Sequence, residues 1–501
     1  MSQPPVPQSR RAARDSQNAK PARAPKAPRS NTPSTGGGGI GPFAKHPRAW
    51  IAAAIGVAFL LLGTGAVLAG AAVGSGAGPA GLGPSSSADA ARPVPVEMPA
   101  ASRLRTCSVA SLAEDPRLAS FVGAVVNAST GELLFDRSAS SGTTQGAVVQ
   151  VLTAAAALNI LGPDYRLATR VYEGSSAGTI VLAGGGDSTL SRLGPGEESV
   201  YSGAEKLSNL AAEVKANYSG PVTTIVLDST AWSSGDKWDS TWPRSEQTGG
   251  RLSEVTALQV DGDRDDPTAQ TSRRSTDPVT RAGEWFAEAL EDAGVDIDPD
   301  TVTFSLGAAV TTKPMLGEVT SQPVSVLINQ MLVAGDATLA ETLARVISKS
   351  MSLGGSASSI GQAITSAVAV YEVDTTGVVI HDGSGTSGAN SVPPAFMAKF
   401  MVKVAVGAAN LNLVYDSLAV AGTSGTLAKR FSGDNAVARG AVTGKTGASA
   451  GVYSLAGTIA AADGTQLAFA FYAVDATDTA RAAIDTLATG AYNCGDNLSN
   501  N

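Results

Sequence analysis

The sequence predicts an α/β body: one sheet assembled from strands near both ends of the body, helices packed on it, and an α/β unit inserted between. Three observations predict it. The stretch 145–165, QGAVVQVLTAAAALNILGPDY, is apolar on nearly every helical face and therefore reads as a buried core helix. Hairpin signals stand at both ends, at residues 121–135 around Asn127-Ala128-Ser129-Thr130-Gly131 and at residues 453–473 around Asp463-Gly464. Between them, short strands alternate with helical patterns.

The chain of 501 residues is 43% hydrophobic and 16% charged, enough to build large cores, and one to three domains are expected. Its net charge of −8 hides an asymmetry. Residues 1–48 carry nine Lys/Arg against one acid, Asp15, which leaves 27 basic and 43 acidic residues for the remainder. The acidic body argues against nucleic-acid binding. Residues 1–48, rich in Pro, Ser, Ala and Gly, are expected to be a disordered cytoplasmic tail. Residues 49–88 hold no charge, and 49–72 are long enough to cross a hydrocarbon core of roughly 30 Å. Lys45, His46 and Arg48 precede that run, and no positive charge follows until Arg92. The positive-inside rule then keeps the tail cytoplasmic and exports the body from a single-pass membrane anchor. The alternative is a cleaved signal peptide, with Ala69-Gly70-Ala71 as its site. Residues 73–106 read as a linker.

In the body, the core helix ends at Gly162-Pro163, where Gly accepts a left-handed cap and Pro cannot continue the helix. Such a helix, entered from the polar loop 140–144, offers its first turn to a cleft, and Ala147 and Gln150 share one face there. Residues 179–182 read as a strand ending in Gly184-Gly185-Gly186-Asp187, a glycine turn without the Lys-Ser/Thr of a phosphate loop. A helix over 203–216, a strand over 222–227 and a helix over 277–294 with Pro278 in its first turn complete an insertion at 173–300. Trp232, Trp238 and Trp242 are expected to pin a long loop to the surface. Helices follow at 323–332, 337–350, 360–371 and 393–406, with Glu341 and Arg345 spaced as an i,i+4 pair. An extended run over 438–443 enters Lys445-Thr446-Gly447, and a closing helix covers 478–492.

The only cysteines, Cys107 and Cys494, stand at the two ends of the body and are a disulfide candidate in an oxidising compartment. With His381 as the body's one histidine, no structural zinc site is expected, nor any other metal or cofactor.

Several strings together resemble the class C low-molecular-mass penicillin-binding proteins, the D-alanyl-D-alanine carboxypeptidase/endopeptidase family. They are VLTAAAALNILGPDYRLAT (151–169), LAGGGDSTL (182–190), IVLDST (225–230), DATLAETLAR (336–345), HDGSGTS (381–387), GTLAKRF (425–431) and GKTGASAGVYSLAG (444–457). The resemblance implies a penicillin-binding-protein/β-lactamase-like transpeptidase domain, split over 107–172 and 301–495. It also implies peptidoglycan stem peptides ending in D-Ala-D-Ala as the ligand.

That family's chemistry rests on three motifs. Ser-x-x-Lys sets a hydroxyl beside an amine that takes its proton. Ser-x-Asn supplies a proton-shuttling hydroxyl and an amide for the substrate backbone. Lys-Thr-Gly holds the terminal carboxylate and lets the substrate approach. Carried over, the first falls on Ala147 and Gln150, the second on Gly335 and Ala337, and the third is intact at Lys445, Thr446 and Gly447. Four polar side chains are missing, and loss of a nucleophile alone costs on the order of a million-fold in rate. The expectation is a catalytically dead or severely impaired pseudoenzyme that binds stem peptide or scaffolds other wall-synthesis proteins. Family membership alone implies an active serine-type carboxypeptidase. Two other registers are weaker: Ser234-x-x-Lys237 sits in the tryptophan loop rather than at a helix start, and Ser449 within Gly447–Gly451, with His381-Asp382, lacks the strand-turn-helix of a nucleophile elbow.

Overall fold

Two large sheets and one two-stranded sheet organise residues 104–449 and 451–500, the residues described in the computed structural model. In chain order the elements begin with β1 (Cys107–Ser108), β2 (Ser120–Asn127), β3 (Leu133–Arg137), α1 (Gln150–Ile160), β4 (Ala168–Glu173) and β5 (Thr179–Gly184). Next come α2 (Leu207–Asn217), β6 (Thr224–Asp228), α3 (Pro278–Asp292), β7 (Thr303–Leu306), β8 (Met315–Thr320), α4 (Val324–Ala334) and α5 (Ala337–Ser350). The chain closes with α6 (Ile360–Val368), α7 (Pro394–Ala405), β9 (Ala419–Val420), β10 (Val442–Ser449), β11 (Val452–Ala460), β12 (Gln466–Val474), α8 (Ala480–Cys494) and β13 (Leu498–Ser499).

The first sheet is six-stranded and antiparallel, in the order β3-β2-β12-β11-β10-β9. It joins strands from both ends of the body because the two hairpins meet along β2 and β12. The two-residue period of β12 sorts its side chains. Ala468, Ala470 and Tyr472 enter the core shared with α1 and α7, while Leu467, Phe469 and Phe471 enter the core under α8. Small residues on the first face let the helices lie close. Helix α1 is the centre of that layer: Val151 through Ala157 have no exposed surface. It ends at Gly162, whose φ of +86° needs a glycine.

The second sheet is five-stranded, in the order β7-β6-β5-β4-β8, with β5, β6 and β7 parallel. Helices α2 and α3 supply the crossovers and bury Leu210, Val214, Phe286 and Leu290 against it. Its strands run from Ala168 to Thr320, so the inserted unit extends past residues 173–300 at both ends. The short strands β7 and β8 belong to it through pairing with β6 and β4. The tryptophan loop is also different from expectation. Trp232 and Trp242 are buried, and Trp238 packs edge-on to Trp242 at 5.4 Å. The indole N–H of Trp242 donates to Asp382 Oδ2 at 2.8 Å, an internal partner that draws the loop into the core. Glu341 and Arg345 do not pair either. Arg345, fully buried, bonds Asp236 Oδ2 at 2.9 Å and Gly355 O at 3.1 Å instead.

Cys107 and Cys494 are disulfide-bonded, with Cα atoms 5.4 Å apart. Beside them β1 pairs with β13, and Arg105 donates to Glu132 Oε1 at 2.6 Å and to the Asp496 carbonyl at 2.8 Å. The two ends of the body are thereby tied. Among the described residues no helix is long and apolar enough to cross a membrane. The expected anchor at 49–72 and tail at 1–48 lie outside the described residues. The bond closes a separation of 387 residues, so Cys107→Ser should lower unfolding free energy by roughly 2–5 kcal/mol. Urea unfolding of the variant against the oxidised parent measures it.

Candidate functional site

All three motif positions converge on the start of α1. A short 3-10 turn, Gly146–Val149, leads into the helix and lies against β10. The approach is backbone on backbone. A Cβ added to Gly447 would sit 2.6 Å from Gln145 O and 3.1 Å from Ala147 N. One added to Gly385 would sit 2.1 Å from Gly146 O. Glycine is therefore required on both the strand and the HDGSG loop for the helix to seat. Ser454 on β11 fixes the same turn by donating to Gln145 O at 2.6 Å.

Ala147 lies half-buried on this turn and presents a methyl group. Gln150 is fully buried and its amide N–H donates to Ser384 O at 3.2 Å. One turn on, Thr153 donates to Gly383 O at 2.7 Å. Gln150 is thus a buried neutral amide bonded to the adjoining loop. That loop is held by two buried carboxyls. Asp382 accepts from Trp242, Gly385 N, Ser387 N and Asn390 Nδ2, all within 2.8 Å. Glu341 accepts from Ser384 N at 2.7 Å. Burial, and then the Asp382 charge, push the Glu341 carboxyl well above the usual carboxylate range. With four donors against one, Asp382 carries the negative charge of the pair.

Gly335 closes α4 in the left-handed conformation, φ +70°. A Cβ there would lie 3.6 Å from Lys445 Nζ, so the second motif faces the third. The next residue, Asp336, caps α5 by accepting from Leu339 N at 3.0 Å. Its other oxygen accepts from Arg264 at 2.8 Å and Tyr201 at 2.9 Å. Burial alone would raise the Asp336 carboxyl, but the Arg264 charge, the hydrogen bonds from Leu339 N and Arg264, and the Arg274 charge together outweigh it, and the group is lowered. Ala337 begins α5 and contributes no polar group.

Lys445 is only 3% exposed. Its amine donates to Thr446 O at 3.0 Å, and no carboxylate lies within 4.0 Å of it among the described residues. Burial brings it down from 10.5 to about 8. Thr446 Oγ donates to Thr426 of the GTLAKRF string at 2.8 Å. The outer edge of β10 pairs with β9 only at Thr443 and Gly444, which leaves the edge from Lys445 onward without a strand neighbour among the described residues.

The other registers do not assemble. The Lys237 amine is paired with Glu254 at 2.6 Å. Ser449 ends β10 and the chain turns directly into β11, so no helix follows it. His381 Nε2 bonds Asp239 at 2.9 Å, on the tryptophan loop. Among the described residues no cluster of His, Cys, Asp and Glu is placed to hold a metal. Sequence reasoning missed the Tyr201–Arg264–Asp336 network and the Trp242–Asp382 bond; each joins residues more than 60 positions apart, and only the DAT and HDGSG strings marked one end.

A six-stranded antiparallel sheet with a buried helix starting at its edge strand, split by an α/β insertion, defines a penicillin-binding-protein-like fold. Penicillin-binding protein 4 of Haemophilus influenzae shares it, with a TM-score of 0.64 at 20% identity over 77% of this chain and 98% of that one. The D-Ala-D-Ala carboxypeptidase 3 (S13) family model matches residues 105–271 and 242–491. Carboxypeptidase DacB of Mycolicibacterium smegmatis is 33% identical over 410 residues, 80% of this chain and 87% of the relative. A Mycobacterium tuberculosis carboxypeptidase is 32% identical over 397 residues, 78% and 84%. The chain belongs to the D-Ala-D-Ala carboxypeptidase (S13) family, among the low-molecular-mass penicillin-binding proteins.

The depressed Lys445 amine has a stability consequence. Below about pH 8 it is charged in the folded and unfolded states alike, and folding bears the full desolvation cost. The cost fades as pH rises from 8 to 10.5 and is absent above. Lys445→Met should therefore stabilise the fold at pH 7 by up to ~3 kcal/mol. The gap should close by the alkaline end of that window, as read from urea midpoints of both proteins across it.

Proposed function

We propose that this chain no longer performs serine acyl transfer and works as an exported, membrane-anchored module that binds the D-Ala-D-Ala end of peptidoglycan stem peptides. The observation that carries the reading is the side-chain content of the convergent site. A methyl group at Ala147 and a loop-bonded amide at Gln150 face an intact Lys445-Thr446-Gly447 strand. Acyl transfer needs a nucleophilic atom and a base within hydrogen-bond reach of it, and neither position supplies one. Carboxylate binding needs less. Among the described residues Lys445 is a buried cation without a carboxylate partner, and a ligand carboxylate would satisfy it by a charge-assisted bond. The free edge of β10 offers backbone groups to an extended peptide.

Anchoring follows from the uncharged run at 49–72 and the basic tail before it, which direct the body outward. The names of the relatives favour a second reading, an active D-Ala-D-Ala carboxypeptidase, which requires a nucleophile from outside the two altered motifs.

Titrating the purified full-length chain with an N-acylated peptide ending in D-Ala-D-Ala tests the reading. Saturable binding is expected, weakened roughly tenfold or more by Lys445→Met. Affinity should fall as pH rises above about 8, where the free amine loses its proton. Absence of binding, or binding indifferent to Lys445, contradicts the proposal and leaves scaffolding of other wall proteins as the role.

A further inference from the structure

A cavity of about 590 Å³ lies in the inserted unit, at the carboxyl ends of β6 and β7. Ser229 and Thr230 directly follow β6, Gly307 directly follows β7, and all three line it. The volume falls within the ~300–1,000 Å³ of small-ligand sites.

Charge selects the ligand. The one ammonium in the lining, Lys237, is already paired with Glu254 at 2.6 Å and donates to Thr276 O at 3.2 Å. The lining carboxylate of Asp277 caps α3 by accepting from Thr280 N at 3.3 Å. No cation is left for a phosphate or carboxylate, and Asp277 repels one. What remains is hydroxyl and hydrocarbon. Ser229 Oγ accepts from Ala257 N at 3.2 Å and Ser233 Oγ from Gly235 N at 3.1 Å, so each hydroxyl keeps its proton to donate. Thr230 spends its proton on Asp228 and can still accept. Leu227, Val279 and Leu306 supply apolar wall, with Leu306 on the rim at 75% exposure.

Donors and acceptors without net charge, beside aliphatic surface, match a sugar ring, which carries hydroxyls at its edge and C–H groups on its faces. We infer that this cavity binds an uncharged carbohydrate, independently of the β10 site. Trp232 borders the cavity and reports occupancy through its fluorescence.

The test is titration of the full-length chain with tri-N-acetylchitotriose and with cellotriose. Saturable binding of at least one is expected. Leu306→Asp, on the exposed rim where the fold tolerates it, and Ser229→Ala should each weaken that binding at least fivefold, while Lys445→Met leaves it unchanged. Conversely, Leu306→Asp should leave D-Ala-D-Ala peptide binding as it was, which separates failure of this site from failure of the β10 site. Three results overturn the inference: no saturable binding of either sugar, binding unmoved by both cavity variants, or inorganic phosphate binding more tightly than both sugars.

Discussion

The seating of the first turn of α1 between β10 and the HDGSG loop is the constraint on which the rest depends. It is made by backbone and by absent side chains. Gly447 and Gly385 leave room that a single Cβ would fill, and Ser454 locks the turn through Gln145 O. Helix α1 can then be largely apolar, because Gln150 through Leu158 are all buried. Nothing in this packing requires a serine at 147 or a lysine at 150. The fold and the acyl-transfer chemistry are separable, so a chain can keep one without the other.

What holds the site in shape is a set of buried polar bonds around it. Asp336, Arg264 and Tyr201 fix the junction of α4 and α5, joining the inserted unit to the helical layer. Asp382 collects four donors, one from the tryptophan loop. Removing one partner of such a network costs several kcal/mol because the other is stranded without water. The same reasoning makes Lys445 unusual. Among the described residues its amine has one hydrogen-bond partner, the Thr446 carbonyl, so the fold bears most of the cost of taking it out of water.

Much of this was legible in the sequence, for physical reasons. Long periodic segments such as 337–350 carry their own signal, and the helix bounds agree with it. The three motifs were readable because their spacing is local. The insertion expected at 173–300 stops short of β7 and β8 because these strands have four and six residues, too short for alternation to stand out, and both are recruited by pairing with distant strands. Glu341 and Arg345 have ideal helical spacing, yet burial gives each a stronger partner elsewhere. The tryptophans sit among polar residues, so their burial shows only once Asp382 is seen to accept from Trp242.

The proposed loss of acyl transfer rests on the methyl group at Ala147, where no nucleophilic atom stands. Intact-mass spectrometry of the full-length chain after incubation with a fluorescent penicillin tests it most directly. An unmodified mass is expected at every incubation time. A stoichiometric acyl adduct would contradict it, and the modified residue would identify the nucleophile that the geometry around Ala147 does not provide.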